Sequence, residues 1–487
     1  MLGMSGLTVK RMFLPISPTG ITTHGIEIRV HMTYRSIRHP LALLRRRDEL
    51  SHAAYAKLIA DTHAELGFGT MAARREKVAR WESGKITPEL SAQYAMAHVH
   101  GVPRTDVVRL GWPEWLYVAT GHASLLQQPW SCDEALVALE GIARSSPEPD
   151  GRDDAIPACD QSIRSLTTAW LNAAAPLELP DRRGLRLSAT AVSSLELRRL
   201  EGRKLFDALG STGTRILADS WLLLLCDLTR NASYDRATGA RLLALTADAA
   251  CYSGRLAFDL GDQRRAQSAL MAALRAASAA EDNRLGAWAL TQFAMQHLHY
   301  GEVRTALTLL DAAQHACLRS RYSPRLASLI RVLRGRAYAE QGEHRASARE
   351  MDIARTLHSP ALHDDDPDCL EWFTGEAIQF HAGAAHFSLN EMGPAVDHLL
   401  PLLDAGPAGG SPVEGQNAAL CNGFLARAQL ACGDTDQALE RALRTAEFLF
   451  HSSSVAVAKQ WQLLRAELAE RSDTPAVRAL LEEPLPA

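Results

Sequence analysis

The stretch Gly254-Arg255-Leu256-Ala257-Phe258-Asp259-Leu260-Gly261-Asp262-Gln263-Arg264-Arg265-Ala266 decides the fold. A small residue is followed seven positions later by Gly, and five positions after that by another small residue. The spacing recurs at Ala294/Gly301/Ala306, Gly335/Gly342/Ser347, Gly383/Asn390/Ala395 and Ala426/Gly433/Ala438, with middle positions 40, 41, 48 and 43 residues apart. A small residue lets a second helix cross closely, and Gly or Asn ends a helix in the left-handed conformation. Each set therefore predicts helix, tight turn, helix. A row of such hairpins is a helical solenoid, which presents surfaces rather than catalytic pockets.

Positions around each set agree. Four residues after the third position stand Leu270, Leu310, Met351, Leu399 and Ala442, as a packed helix face needs. Acids follow the turn at Asp262, Glu302, Glu343 and Asp434, where the positive end of the next helix dipole favours them. The spacing of 48 holds His363-Asp364-Asp365-Asp366-Pro367-Asp368, read as a solvated loop before a helix in preference to a cation site. Gly406–Gly415 reads as a second, Gly/Pro-rich loop.

With 487 residues, 47% hydrophobic and 22% charged, the chain is expected to fold as two or more globular domains. No apolar run reaches the roughly 18 residues that span a bilayer, and the N-terminus lacks the order of a secretory signal. Eight Cys without a CxxC pair or zinc-like spacing suit reduced core residues in a cytoplasm. Charge is uneven. Residues 34–103 carry eleven Lys/Arg against seven Asp/Glu, so +4, and residues 1–33 carry three against one, so +2; the total of −4 leaves −10 for 104–487. A basic front on an acidic body suits a small nucleic-acid reader joined to a part that does not bind nucleic acid.

The front segment reads as short helices. Pro40 opens the first, with Leu41, Leu44 and Leu50 inward; Ser51 caps the second. A turn with Gly67 and Gly69 follows, then a third helix over about Met71–Glu82 ending near Gly84, and a fourth from Glu89 to about His100 ending at Gly101. Within Arg74-Arg75-Glu76-Lys77-Val78-Ala79-Arg80-Trp81-Glu82-Ser83-Gly84-Lys85, helical spacing puts Val78 and Trp81 inward and Lys77 and Arg80 together elsewhere, with Arg74 one turn before Lys77. Such a helix suits a major groove, where Arg pairs with guanine. Arg74, Arg75, Lys77 and Arg80 are the candidate base contacts. Lys57, Ser83 and Lys85 are the candidate phosphate contacts, the turn at 83–85 offering its amides and an ammonium.

This segment resembles the Cro/C1-type (Xre) helix-turn-helix family over about residues 40–103. The likeness is carried by Leu44, Arg47, Ala56, Leu58, Val78-Ala79-Arg80-Trp81-Glu82-Ser83-Gly84-Lys85, Pro88, Ala95 and Gly101-Val102, and the recognition helix would map to about Met71–Trp81. The chain departs from the family in its longer Asp61–Thr70 stretch, where a tight turn is usual. The recurring spacing is similar to the tetratricopeptide repeat, with units longer than the usual 34. The pairing looks like the regulators of actinomycete development and antibiotic production, and Leu197–Glu201 with Leu209–Arg215 looks like their connector. The resemblance implies an all-α fold: an irregular extension (1–33), a helix-turn-helix domain (34–125), a linker with connecting helices (126–185), a tetratricopeptide-type solenoid (186–475) and a C-terminal tail (476–487). It implies a cytoplasmic transcriptional regulator that binds double-stranded DNA. Its repeats would bind a peptide, protein or small effector, or form a homodimer. The alternative is an interaction scaffold that does not read DNA. Met32 is a candidate second start.

Catalytic and cofactor signals are missing. Gly210–Thr214 lacks the Lys-Ser or Lys-Thr of a phosphate loop. His297 and His299, and His381 and His386, lack the spacing of a helical metal site, and His297 and His386 recur four residues before the turn residue, as packing positions do. The chain is expected to be no enzyme and to hold no cofactor and no metal.

Overall fold

A computed structural model describes residues 39–122, 129–144, 158–173, 184–319, 322–404, 415–471 and 474–482. The N-terminal extension, the linker at 145–157 and most of the Gly/Pro-rich loop lie outside them. Among the described residues every element is helical, with one isolated bridge between Arg186 and Ser233.

The front unit contains α1 (Pro40–Arg47), α2 (His52–Glu65), α3 (Arg75–Glu82), α4 (Leu90–Val99), α5 (Arg104–Leu110) and α6 (Leu116–Thr120). Local chemistry sets its boundaries. Nδ1 of His39 accepts from the Leu41 amide ahead of α1, and the Ser51 hydroxyl accepts from the Ala54 amide at the start of α2. Leu41, Leu44, Tyr55, Ile59, Val78, Met96 and Trp115 form one buried core, with Trp81 closing it. Trp115 donates its indole N–H to Gln93 at 3.1 Å, and Gln93 donates to the Pro88 carbonyl at 2.8 Å, so the buried polar groups are satisfied.

Two connecting helices follow, α7 (Cys132–Arg144) and α8 (Asp160–Asn172), then α9 (Ala189–Asn231), which runs for 43 residues. Five hairpins come next: α10 (Arg236–Asp259) with α11 (Gln263–Ala279), α12 (Asn283–His299) with α13 (Val303–Arg319), α14 (Pro324–Glu340) with α15 (His344–Leu357), α16 (Gly375–Ser388) with α17 (Met392–Asp404), and α18 (Gly415–Ala431) with α19 (Thr435–His451). Then come α20 (Val455–Ala469) and α21 (Pro475–Glu482). Residues 476–482, expected in the tail, are helical, and Val477 and Leu480 are buried in the last cluster.

Every hairpin turns on the middle residue of its set. Gly261, Gly301, Gly342, Asn390 and Gly433 have φ of 85°, 72°, 76°, 61° and 89°. The small residues lie where paired helices cross. A Cβ on Gly383 would meet Leu399 Cγ at 2.7 Å, and one on Gly335 would meet Met351 Cε at 2.9 Å. Ala266, Ala306, Ala395 and Ala438 are fully buried opposite them.

Apart from Glu343, which makes no side-chain cap, the acids after the turns split by length. Asp262 and Asp434 accept from the amides of Arg265 and Gln437, as caps. Glu302 reaches back instead to His297 Nδ1 at 2.6 Å, and Glu391 reaches His386 Nδ1 at 2.6 Å. Aspartate is short enough to cap the next helix, and the extra methylene of glutamate lets it pair with the histidine one turn earlier. His297 and His386 are therefore turn fasteners. The loop acids are also structural: Asp366 is buried and accepts from the Ser323 hydroxyl and from the amides of Arg325 and His363.

The last helices return to the first. Gln416 donates to buried Asp259 at 3.1 Å, Lys459 donates to the His299 carbonyl, and Val455 lies against Gly261. The connecting helices belong to the body rather than to a loose tether. Trp170 of α8 lies so close to Gly286 that a Cβ there would fall 2.2 Å from its ring, and Thr308 donates to Asp160 at 2.6 Å. The other side of α8 holds the front unit: Tyr117 donates to the Ser162 hydroxyl at 2.8 Å, Gln161 to the Trp112 carbonyl at 2.6 Å, and Ser165 to Glu114 at 2.8 Å.

Candidate nucleic-acid interface

The third helix is shorter than expected. Met71–Arg74 lies outside it, and Arg74 has extended backbone at φ −105°, ψ 123°. The reason is the longer segment before it. Phe68 packs between His63 and Tyr94 with the Arg104 guanidinium 5.2 Å from its ring centre, and His63 Nδ1 bonds the Gly69 carbonyl at 2.9 Å. These contacts hold the approach to α3 in a non-helical path. Arg74 thus precedes the helix and is not on its face.

Trp81 and Val78 are buried, as the spacing predicts, and their burial turns the opposite side of α3 outward. Arg74, Arg75 and Arg80 are exposed and Lys77 is half-buried. Lys57 stands exposed on α2, which packs on α3, and Ser83 and Lys85 are exposed just past the helix. Arg75 is held by Glu76 at 3.0 Å. The Glu76 carboxyl lies below its usual range, first through its own backbone amide and then through Arg75. Lys77, Arg80, Lys57 and Lys85 make no ion pair among the described residues, and Arg74 makes none either but acts on the Glu76 carboxylate from a distance.

The turn after α3 differs from expectation. The amides of Ser83, Gly84 and Lys85 donate to the carbonyls of Ala79, Trp81 and Arg80 at 3.1, 3.0 and 3.1 Å. Gly84 has φ 68°, so the helix closes on itself in the usual left-handed cap. Those amides are spent and are not free for a phosphate. The Ser83 hydroxyl donates to the Arg80 carbonyl at 3.0 Å, leaving its oxygen as acceptor only.

The support beneath the helix was not visible in the sequence. Glu82 accepts from Arg45 at 2.6 and 3.1 Å and lies 3.0 Å from His52 Nε2, while Arg45 also donates to the Leu50 carbonyl at 2.7 Å. One carboxylate thus ties the end of α3 to α1 and the start of α2. The only hint is an acid directly after a buried Trp. Among the described residues no group of three His, Cys, Asp or Glu is placed to hold a metal, and no helix is long and apolar enough to cross a membrane. No family model matches the chain, and no curated protein matches it significantly.

Proposed function

We propose that the chain is a DNA-binding transcriptional regulator of helix-turn-helix type whose tetratricopeptide-like body carries the sensing function. The observation behind this reading is the outward face of α3: Lys77 and Arg80, flanked by Arg74 and Lys85, carry uncompensated charge on a helix anchored by Val78, Trp81 and Glu82. A short, firmly seated helix with free guanidinium and ammonium groups suits a major groove. Arg80 and Lys77 would reach base edges. Arg74, Lys57 and Lys85 would contact phosphates, and Arg75, shared with Glu76, would contribute less. Two copies on a palindromic site fit this reading.

The three hydrogen bonds from the front unit to α8 favour a regulator over two independent modules, since α8 is also locked to α12 and α13 through Trp170 and Asp160. A change in hairpin packing would therefore reach the front unit through one helix. The test is anisotropy of labelled double-stranded DNA across a salt series. Regulator binding falls steeply with salt, by a log–log slope of about −0.9 per phosphate neutralised. Binding that is absent at low salt contradicts the reading.

A further inference from the structure

The third and fourth hairpins do not close fully against each other. The long spacing between their turns places residues 358–374 between α15 and α16, and this segment is fixed in place. Arg325 is buried and donates to the carbonyls of Ser359, Pro360, Leu370 and Glu371. The wedge leaves a cleft with two adjoining cavities of about 410 and 350 Å³, and Arg355 lines both. Each falls within the range typical of small-molecule sites.

We propose that this cleft binds a small acyl carboxylate, with its head at Arg355 and its tail along Met351, Ala382 and Leu389. The larger cavity is lined by Arg355, His358, His398, Gln379, Ile378 and Gly375 and contains no acid. Among the described residues Arg355 pairs with exposed Asp352, at 2.9 Å, a weak contact that leaves guanidinium donors free for a carboxylate. The smaller cavity continues over Met351, Ala382, Ala385 and Leu389, an apolar strip bordered by His344, Arg345, Asp352, His386 and Glu391. Burial holds both His358 and His398 below the ordinary imidazole value; Arg325 also acts on His358 against Glu376 and Asp366, and Arg355 acts on His398 against Asp397. Site and wedge lie between two hairpins, so an occupant would bias their packing. This sensing role rests on the regulator reading; the binding itself does not.

The test is isothermal titration of the full chain with sodium decanoate, with decylamine as the control of opposite charge. Two variants accompany it, each checked for fold by circular dichroism. Arg355→Gln removes the charge, and Gly375→Leu fills the larger cavity, since a Cβ at Gly375 meets nothing within 4 Å. Decanoate should bind at one site, at least tenfold more weakly to Arg355→Gln, and not measurably to Gly375→Leu or as decylamine. No binding of decanoate, equal binding of decylamine, or unchanged binding by both variants overturns the proposal. DNA affinity on the same samples separates the two readings. Decanoate binding without any DNA binding sinks the regulator and keeps the cleft, whereas DNA affinity unmoved by bound decanoate removes the sensing role.

Discussion

Glu82 accepts from the Arg45 guanidinium at 2.6 Å across the base of the front unit, with both side chains about nine-tenths buried. This pair makes the last residue of α3 a strut. Removing the carboxylate leaves a buried guanidinium uncompensated, which costs about 3 kcal/mol. Glu82→Ala should therefore loosen α1–α3 and leave the repeat body intact. Hydrogen exchange checks this: protection should fall in 40–82 and persist in 236–357. Unchanged protection in α1–α3 would refute the strut.

Arg80 and Lys85 should fail differently on DNA. Arg80→Ala is expected to weaken binding to a preferred site by about 1–3 kcal/mol and relax preference at one base position. Lys85→Ala is expected to weaken all sequences alike and reduce the salt slope by about 1. Competition binding with matched and scrambled duplexes separates them. An Arg80→Ala protein with full sequence preference would remove Arg80 from the reading face.

The hairpins are legible in sequence because each rests on a local constraint. A positive φ at Gly261 or Gly433 and a close crossing at Gly383 both demand small residues at fixed spacing. Long-range partnerships are not legible that way. Nothing near Glu82 in the chain announces Arg45, and nothing near Gly286 announces Trp170, because each pair is brought together only by tertiary packing. The start of α3 at Arg75 departs from the spacing for the same reason. Met71–Arg74 has acceptable helix formers, and it is Phe68, seated against Tyr94 and Arg104, that keeps the segment out of the helix. In the candidate site, residue types and exposure were readable, but the spent amides at 83–85 required the cap geometry.

Gly383→Ala tests the close crossing. Its new methyl would lie 2.7 Å from Leu399 Cγ and 3.1 Å from His398 Cβ, so α16 and α17 must part. Overpacking of this kind costs about 1–3 kcal/mol. Urea denaturation of the purified variant should show a lower midpoint than the parent, and an equal midpoint would show that the hairpin has slack.

Acid should weaken the fold through histidines that burial keeps neutral. His299 and His381 are lowered to about 3, and His39 and His100 to about 4, each chiefly by burial. Below pH 6.5 the unfolded chain takes up protons that these four resist. Their stabilising contribution is thus complete above about 6.5 and is lost as pH falls toward 4 and then 3, by up to about 1.4 kcal/mol per pH unit for each histidine. His299 also faces Lys459 across the closing contact, so α20 should lose hydrogen-exchange protection early in the titration. His299→Gln should flatten the fall in urea midpoint between pH 7 and 5; an identical fall in variant and parent would contradict this assignment.

The regulator reading is tested most directly by selecting fragmented genomic DNA with the full chain and with a Lys77→Ala/Arg80→Ala variant that keeps its helical circular dichroism. The parent should enrich a discrete sequence motif, and the variant should lose it. No motif from the parent, or the same motif from both proteins, would contradict DNA reading by the outward face of α3.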